Sequence, residues 1–336
     1  MLPTGAHSIL QLHPTRRCNL RCVHCYSESG PEAADALAPD LLLRVVSDAA
    51  SMGYTVLSVS GGEPMSYRAL PQLLIHAKAD GQRTLVTTNG MLSTPRRLEQ
   101  LAPHLDLLAM SLDGPPEEHD LMRAHPGAFE AMVRGLEAVR ASGVPFGFLF
   151  TLTQHNVHQL EWAADFAVAQ GASLLQVHPL EATGRGSTLA YSVPDDVESG
   201  YAALEVARLG QVWGPRLRIH LDLAGRAAVA ATVMAMPEEV SARRLGETLS
   251  PLVVEPDGWC GPLEYGFPRG FGLGDVRSNP LPELAQAWVE SVYPRFRDVV
   301  AASLPPETST RNSPITYWYA SVQAAAQRAS ERASNR

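Results

Sequence analysis

Three of the four cysteines in this 336-residue chain stand within one short stretch, Cys18-Asn-Leu-Arg-Cys22-Val-His-Cys25, and the fourth, Cys260, lies far downstream. A secreted disulfide framework would spread and balance its cysteines, whereas clustered thiols in a reducing compartment usually bind metal. A closed zinc site takes four protein ligands, commonly as two pairs. Here the spacing is three residues and then two, with no second pair nearby. Three thiolates suit an iron–sulfur cluster that leaves one iron open to a second molecule. A structural zinc with His13 or His24 as its fourth ligand is the alternative.

The elements that must position these thiols are legible as alternating patterns. Apolar, β-rich runs fall at 8–13, 55–60, 83–88, 107–112, 146–153 and 174–178, and helical patterns at 39–51, 68–79, 95–101, 128–141 and 158–170. Several strands, such as Thr55-Val-Leu-Ser-Val, are apolar on both faces, as strands covered by helices or lining a barrel are. Repeated strand–helix units demand parallel strands and right-handed crossovers. The expected fold is α/β: a partial (β/α)6 TIM-like barrel over residues 1–215, with a small α+β C-terminal extension and helical tail over 216–336. After Gly186 a helix is expected at 195–209, then a strand at 217–223, an Ala-rich helix at 227–236 and a turn at Pro256-Asp257-Gly258 between short strands. The Ala-, Ser- and Arg-rich tail from Ser321 is expected to fray.

Four further segments follow strand ends: Ser60-Gly61-Gly62-Glu63-Pro64, Thr87-Thr88-Asn89-Gly90, Ser111-Leu112-Asp113-Gly114-Pro115 with Arg123 beyond it, and Ala182-Thr183-Gly184-Arg185-Gly186. Each alone also reads as an ordinary turn or helix cap. Together they sit where parallel α/β folds place their ligands. In order and spacing the cysteine motif with Tyr26 behind it, and these four segments, resemble the radical S-adenosylmethionine (radical SAM) superfamily over residues 8–186. The resemblance implies that Cys18, Cys22 and Cys25 hold one [4Fe–4S] cluster whose fourth iron binds S-adenosylmethionine (SAM). It implies cofactor contacts from Tyr26, Gly61, Gly62, Glu63, Pro64, Thr88, Asn89, Ser111, Asp113 and Arg123. It also implies reductive cleavage of SAM to a 5′-deoxyadenosyl radical, which takes hydrogen from an unactivated carbon, and an electron donor such as a flavodoxin or ferredoxin.

The segment from Leu252 to Pro262, followed by Gly272-Leu-Gly274-Asp275-Val276, is similar to the start of the SPASM or twitch extensions of that superfamily. Those extensions carry auxiliary clusters, whereas this chain offers only Cys260. An extension without a cluster, closing the barrel and shaping the substrate pocket, is therefore expected. Cys260 reads either as a small buried hydrophobe or as a hydrogen-atom donor to a substrate radical, the role a cysteine plays in similar peptide epimerases. His178, His220 and Glu181 are candidates for the substrate end of the pocket. The resemblance points to a peptide or natural-product precursor as substrate. About seven residues precede the first strand, which leaves no room for a leader-binding domain and keeps a small molecule or tetrapyrrole intermediate as the alternative.

Composition sets the outer limits. Apolar residues make up 45% and charged residues 18% of the chain, which suits a globular core and excludes a coiled coil or a disordered tract. The formal charge of −8 gives no basic field for a nucleic acid. The longest apolar run, 227–236, is half the roughly 20 residues that a membrane helix needs, and residues 1–10 lack a secretory signal pattern. A cytoplasmic enzyme is expected. Lys78 is the sole lysine, which leaves one candidate for a Schiff base. A non-catalytic iron–sulfur or zinc protein is the reading from another class, and the nucleoside-type segments speak against it.

Overall fold

Strand β1 (Ile9–Leu12) alternates half-buried and fully buried residues, the two-residue period of a strand with different surroundings on its two faces. The cysteine-bearing loop follows, and then α1 (Pro39–Ser51), whose Leu41, Leu42, Val45, Val46 and Ala49 are buried at helical spacing. From there strand and helix alternate. The order is β2 (Val56–Val59), α2 (Leu70–Ala79), β3 (Arg83–Thr88), α3 (Pro95–Leu101), β4 (Leu107–Leu112), α4 (Pro116–Arg123), α5 (Ala128–Ser142), β5 (Phe146–Leu152), α6 (Leu160–Gln170), β6 (Leu174–Pro179), α7 (Asp196–Trp213) and β7 (Arg218–Leu221). The structure is a computed structural model that describes residues 7–304 and 314–334.

Strands β1 to β7 pair in parallel and in chain order. Parallel neighbours need a crossover, and the intervening helices supply it. The pleat then divides each strand between two environments. Leu10, Leu57, Leu108, Phe148 and Leu175 are fully buried, while Gln11, Ser58, Leu85, Ala109, Leu149 and Gln176 line one cavity of about 690 Å³. A sheet whose successive strands all turn alternate residues into the same space is a partial barrel. Beyond the six parallel strands expected, β7 continues the sheet in the same direction beside β6.

The remainder of the chain is β8 (Ala224–Gly225), α8 (Arg226–Met234), β9 (Leu252–Val254), β10 (Trp259–Pro262), β11 (Gly274–Asp275), α9 (Leu281–Ser291), α10 (Tyr293–Ala302), β12 (Ile315–Thr316) and α11 (Trp318–Ser334). Strand β9 lies parallel to β1, and β10 and β11 follow it antiparallel, giving a ten-stranded sheet in the order β11-β10-β9-β1-β2-β3-β4-β5-β6-β7. The expected boundary at 215/216 thus does not interrupt the sheet, since strands from both sides of it are hydrogen-bonded neighbours. Strand β12 pairs with β8, which brings Tyr317, Trp318 and Tyr319 to the cavity. The tail expected to fray is the helix α11, with Val322 and Ala326 fully buried. No described helix is long and apolar enough to cross a membrane.

Candidate active site

Cys18, Cys22 and Cys25 line the cavity from the loop after β1, and all three are free thiols. That loop is held from several sides. Val23 N–H donates to Met122 O at 3.0 Å and Cys18 N–H to Gly30 O at 3.1 Å. Arg185 donates from its backbone N–H to Cys25 O (3.0 Å), from Nε to Cys22 O (2.9 Å) and from Nη2 to Ser29 O (2.7 Å). Gly184 sits at φ 53°, and a Cβ there would lie 2.3 Å from Tyr26 O, so only glycine lets this turn pack on the cysteine loop. Gly62 plays the same part from the other side, where a Cβ would lie 2.3 Å from Arg17 O. Its closeness serves the loop that carries the thiols as well as any ligand.

Burial pushes the Cys18 thiol up to about 12 and raises Cys22 as well. Without a bound cation these thiols stay protonated, and binding one would release their protons. Among the described residues no group of three or more His, Cys, Asp or Glu side chains is placed to hold a single metal ion. The thiolates of a multi-iron cluster each bind a different iron, which requires a wider spread than one zinc does. His24 is turned away, its Nδ1 3.2 Å from Met122 O and its Nε2 4.0 Å from Asp113. His13 lies beside Gln11, with its ring edge-on to Tyr26 and tilted against Tyr265. Neither is offered to the thiols as a zinc ligand, and the donor set fits a cluster bound by three thiolates.

Beside the thiols lies a buried ion pair. Arg123 donates from Nε to Asp113 Oδ2 at 2.6 Å and from Nη2 to Asp113 Oδ1 at 3.1 Å, and its Nη1 is 3.7 Å from Cys22 Sγ. Burial alone would raise the Asp113 carboxyl, but the Arg123 charge outweighs it and holds Asp113 below its ordinary range. Glu63 is fully buried and accepts from Thr88 Oγ1 (2.8 Å), Asn89 N–H (2.9 Å) and Met65 N–H (3.0 Å). It ties the loop after β2 to the end of β3. Asn89 Nδ2 in turn donates to Asn19 Oδ1 at 2.8 Å, which ties β3 to the cysteine loop.

Of the residues expected at the cofactor, Tyr26, Gly61, Gly62, Thr88, Asn89, Ser111 and Arg123 line the cavity together with the three cysteines. Glu63, Pro64 and Asp113 do not line it. They are buried behind it, where Glu63 and Asp113 brace the residues that do. Cys260 is 0% exposed, sits within the main hydrophobic core and is absent from the cavity wall. Its strand β10 turns it away from the space a substrate would fill, so the placement does not support the hydrogen-donor role.

The far end of the cavity is polar. His178 lies with Nδ1 2.8 Å from Asp222 Oδ2 and Nε2 2.9 Å from Glu181 Oε1. Burial opposes charge there, yet the two carboxylates hold the imidazole well above its ordinary pKa. His220 Nε2 is 3.0 Å from Asp222 Oδ1, and Gln176 Nε2 donates to Asp222 Oδ2 at 2.8 Å. Despite burial, these partners keep Asp222 ionised far below the usual carboxylate range. The Tyr317 hydroxyl donates to Glu264 and is 3.3 Å from His178 Nε2. His178, His220 and Glu181 thus meet as the sequence suggested, while Asp222, Glu264 and Tyr317 were missed. Asp222 follows His220 by two residues on an expected strand, so the alternation rule places both on one face. Glu264 and Tyr317 carry no local signal, because only the pairing of β12 with β8 brings them together.

Residues 12–167 match the sequence profile of the radical SAM superfamily. The Fe-coproporphyrin III synthase of Methanosarcina barkeri is 34% identical over 179 residues, 52% of this chain and 44% of that protein. The PqqA peptide cyclase of Xanthomonas campestris is 28% identical over 309 residues, 88% of this chain and 72% of that protein. The chain spans about half the length of the haem-synthase relatives it matches. The crystal structure of Streptococcus suis SuiB bound to S-adenosylmethionine superposes with a TM-score of 0.66 at 17% identity, covering 87% of this chain and 68% of that one. That likeness is one of fold, and it joins the partial barrel to the cysteine motif and the strand-end segments. Over residues 12–167, a little under half of the chain, the partial-barrel fold coincides with the match to the radical SAM superfamily.

Proposed function

We propose that this protein is a radical SAM enzyme that modifies a peptide or another natural-product precursor by removing hydrogen from an unactivated carbon. One observation carries the reading. The three thiols, the strand-end residues suited to a nucleoside and amino acid, and the polar far wall all line one cavity. Cys18, Cys22 and Cys25 would hold a [4Fe–4S] cluster, with Arg123, Ser111, Thr88 and Asn89 around the SAM that binds it. The bound cluster and SAM supply a 5′-deoxyadenosyl radical. The chain's own work is binding, orientation and exclusion of water. Leu85, Leu107, Ala109, Leu149 and Leu174 give the barrel interior much of its apolar surface, beside the polar side chains of Ser58 and Gln176. An acidic flavodoxin- or ferredoxin-type donor would approach the outer side of the cysteine loop, where Arg17 is exposed. The free thiols suit the reducing cytosol, where we place the protein.

The wall favours a peptide over a polycarboxylate. Both arginines of the cavity are engaged within the protein, Arg123 by Asp113 and Arg185 by loop carbonyls, while Glu181, Asp222 and Glu264 line the far end. A tetrapyrrole is the second reading, and identity to Fe-coproporphyrin III synthase favours it. Anaerobic assays of 5′-deoxyadenosine release, with candidate precursor peptides in one series and iron-coproporphyrin in the other, decide between them. Stimulation by the porphyrin alone would overturn the peptide reading. A reconstituted protein that binds iron but never cleaves SAM would overturn both.

A further inference from the structure

The far wall of the cavity contains a carboxyl group whose placement the cofactor chemistry leaves unexplained. Glu264 follows Leu263, a bulky residue held at φ 67°, and the Glu264 N–H donates to Pro262 O at 2.8 Å. This three-residue turn is a strained way to leave β10, and it places Glu264 on the cavity wall, 7% exposed. The groups facing it are Tyr317 and Tyr319 at the start of α11, His178 and Glu181 at the end of β6, and Asp222 after β7. Hydrogen bonds run on from Tyr317 through His178 and Asp222 to His220, whose side chain is 58% exposed.

We infer that Glu264 is the acid–base residue at the substrate end of the cavity and that the Tyr317 hydroxyl sets its affinity for a proton. The inference rests on the enzyme reading above. As the acid, Glu264 gives its proton to a substrate heteroatom, which shares a lone pair with it, and a carboxylate remains. As the base, it takes the proton of a substrate X–H bond and leaves the electron pair on X. No oxidant enters either step. Burial, and next the Glu181 charge, push the Glu264 carboxyl up to about 8, close to neutrality, where one group can serve in both directions. The Tyr317 hydrogen bond works the other way and favours the carboxylate.

Dicyclohexylcarbodiimide, an apolar reagent that attacks protonated carboxyls, tests this on the cluster-reconstituted protein with SAM bound. Peptide mapping should find the label on Glu264 at neutral pH, and labelling should fall as pH rises through about 8. E264Q should remove that label. Y317F should carry labelling upward by about one pH unit, a tenfold higher proton affinity. An unlabelled Glu264, labelling that does not change with pH, or a Y317F midpoint equal to the parent's would overturn the inference. Release of 5′-deoxyadenosine by the parent is measured separately. Its failure would sink the enzyme reading and leave the labelling result standing.

Discussion

Arg185 reaches across 163 residues of sequence to donate its Nε hydrogen to the carbonyl of Cys22. The turn after β6 is therefore one of the contacts that hold the loop after β1 and the thiols it carries. Replacing Arg185 with alanine removes two hydrogen bonds from a cation to loop carbonyls, each worth about 1.5–3 kcal/mol. R185A is expected to fold, to take up less iron on anaerobic reconstitution and to lose it faster on gel filtration. Iron analysis and visible absorbance read the difference. Parental iron retention would show that the loop needs no such clamp.

The Asp113–Arg123 pair predicts a sharper loss. D113N leaves a buried guanidinium without its counter-charge, which costs about 3–5 kcal/mol. It should also loosen Arg123 beside the Cys22 thiol, and SAM affinity should fall roughly tenfold to a hundredfold, as for R123A, through loss of a charge-assisted contact. Because the Asp113 carboxyl is held below its unfolded value, its contribution to stability is present at neutral pH and vanishes as pH falls through the folded value. The parent should therefore lose its advantage over D113N in acid. Thermal melts across pH and equilibrium dialysis with SAM check both halves.

Cys260 belongs to the core, so C260A should behave as a small cavity mutation. It should cost about 1–2 kcal/mol, leave about four irons per chain, the content of one [4Fe–4S] cluster, and leave SAM cleavage near the parent's. Denaturant unfolding together with iron analysis reads it. A C260A protein of parental stability that stalls after SAM cleavage would return the thiol to the chemistry.

Glu264 also predicts an alkaline weakness. Its folded value of about 8 lies above that of an unfolded carboxyl, so its contribution is complete in acid and is lost as pH rises through about 8. E264Q carries no such titration. Its melting temperature should lie close to the parent's near pH 5 and above it near pH 9. A parallel pair of curves would mean that Glu264 is ionised throughout.

Much of the cofactor end was legible because its determinants are local. The cysteines share one loop, Thr88 and Ser111 lie at the C-terminal ends of strands whose bounds agree with the apolar runs, Asn89 directly follows one, and the glycines mark turns. What the pattern left out depends on distant pairing. β7 reads as part of an extension until its register beside β6 is seen. The helix α4 is polar, with only His119 and Arg123 buried, so no apolar stripe announces it. Glu63 and Asp113 read as ligand contacts because a motif gives order along the chain and not depth. In the fold both point behind the cavity wall and steady the side chains that face it.

The position of β1 has a bearing on how the chain is made. Leu10 is paired with Leu57 on one side and with Leu252 on the other. One edge of this strand therefore waits for the synthesis of about 240 further residues, some 12–50 s at ordinary elongation rates. An unpaired edge is a template for misplaced strands, and pairing partners this remote in sequence make folding slow. Early arrival of β9 to cover that edge should therefore favour soluble yield, and slowing translation before β9 is made should prolong the hazard.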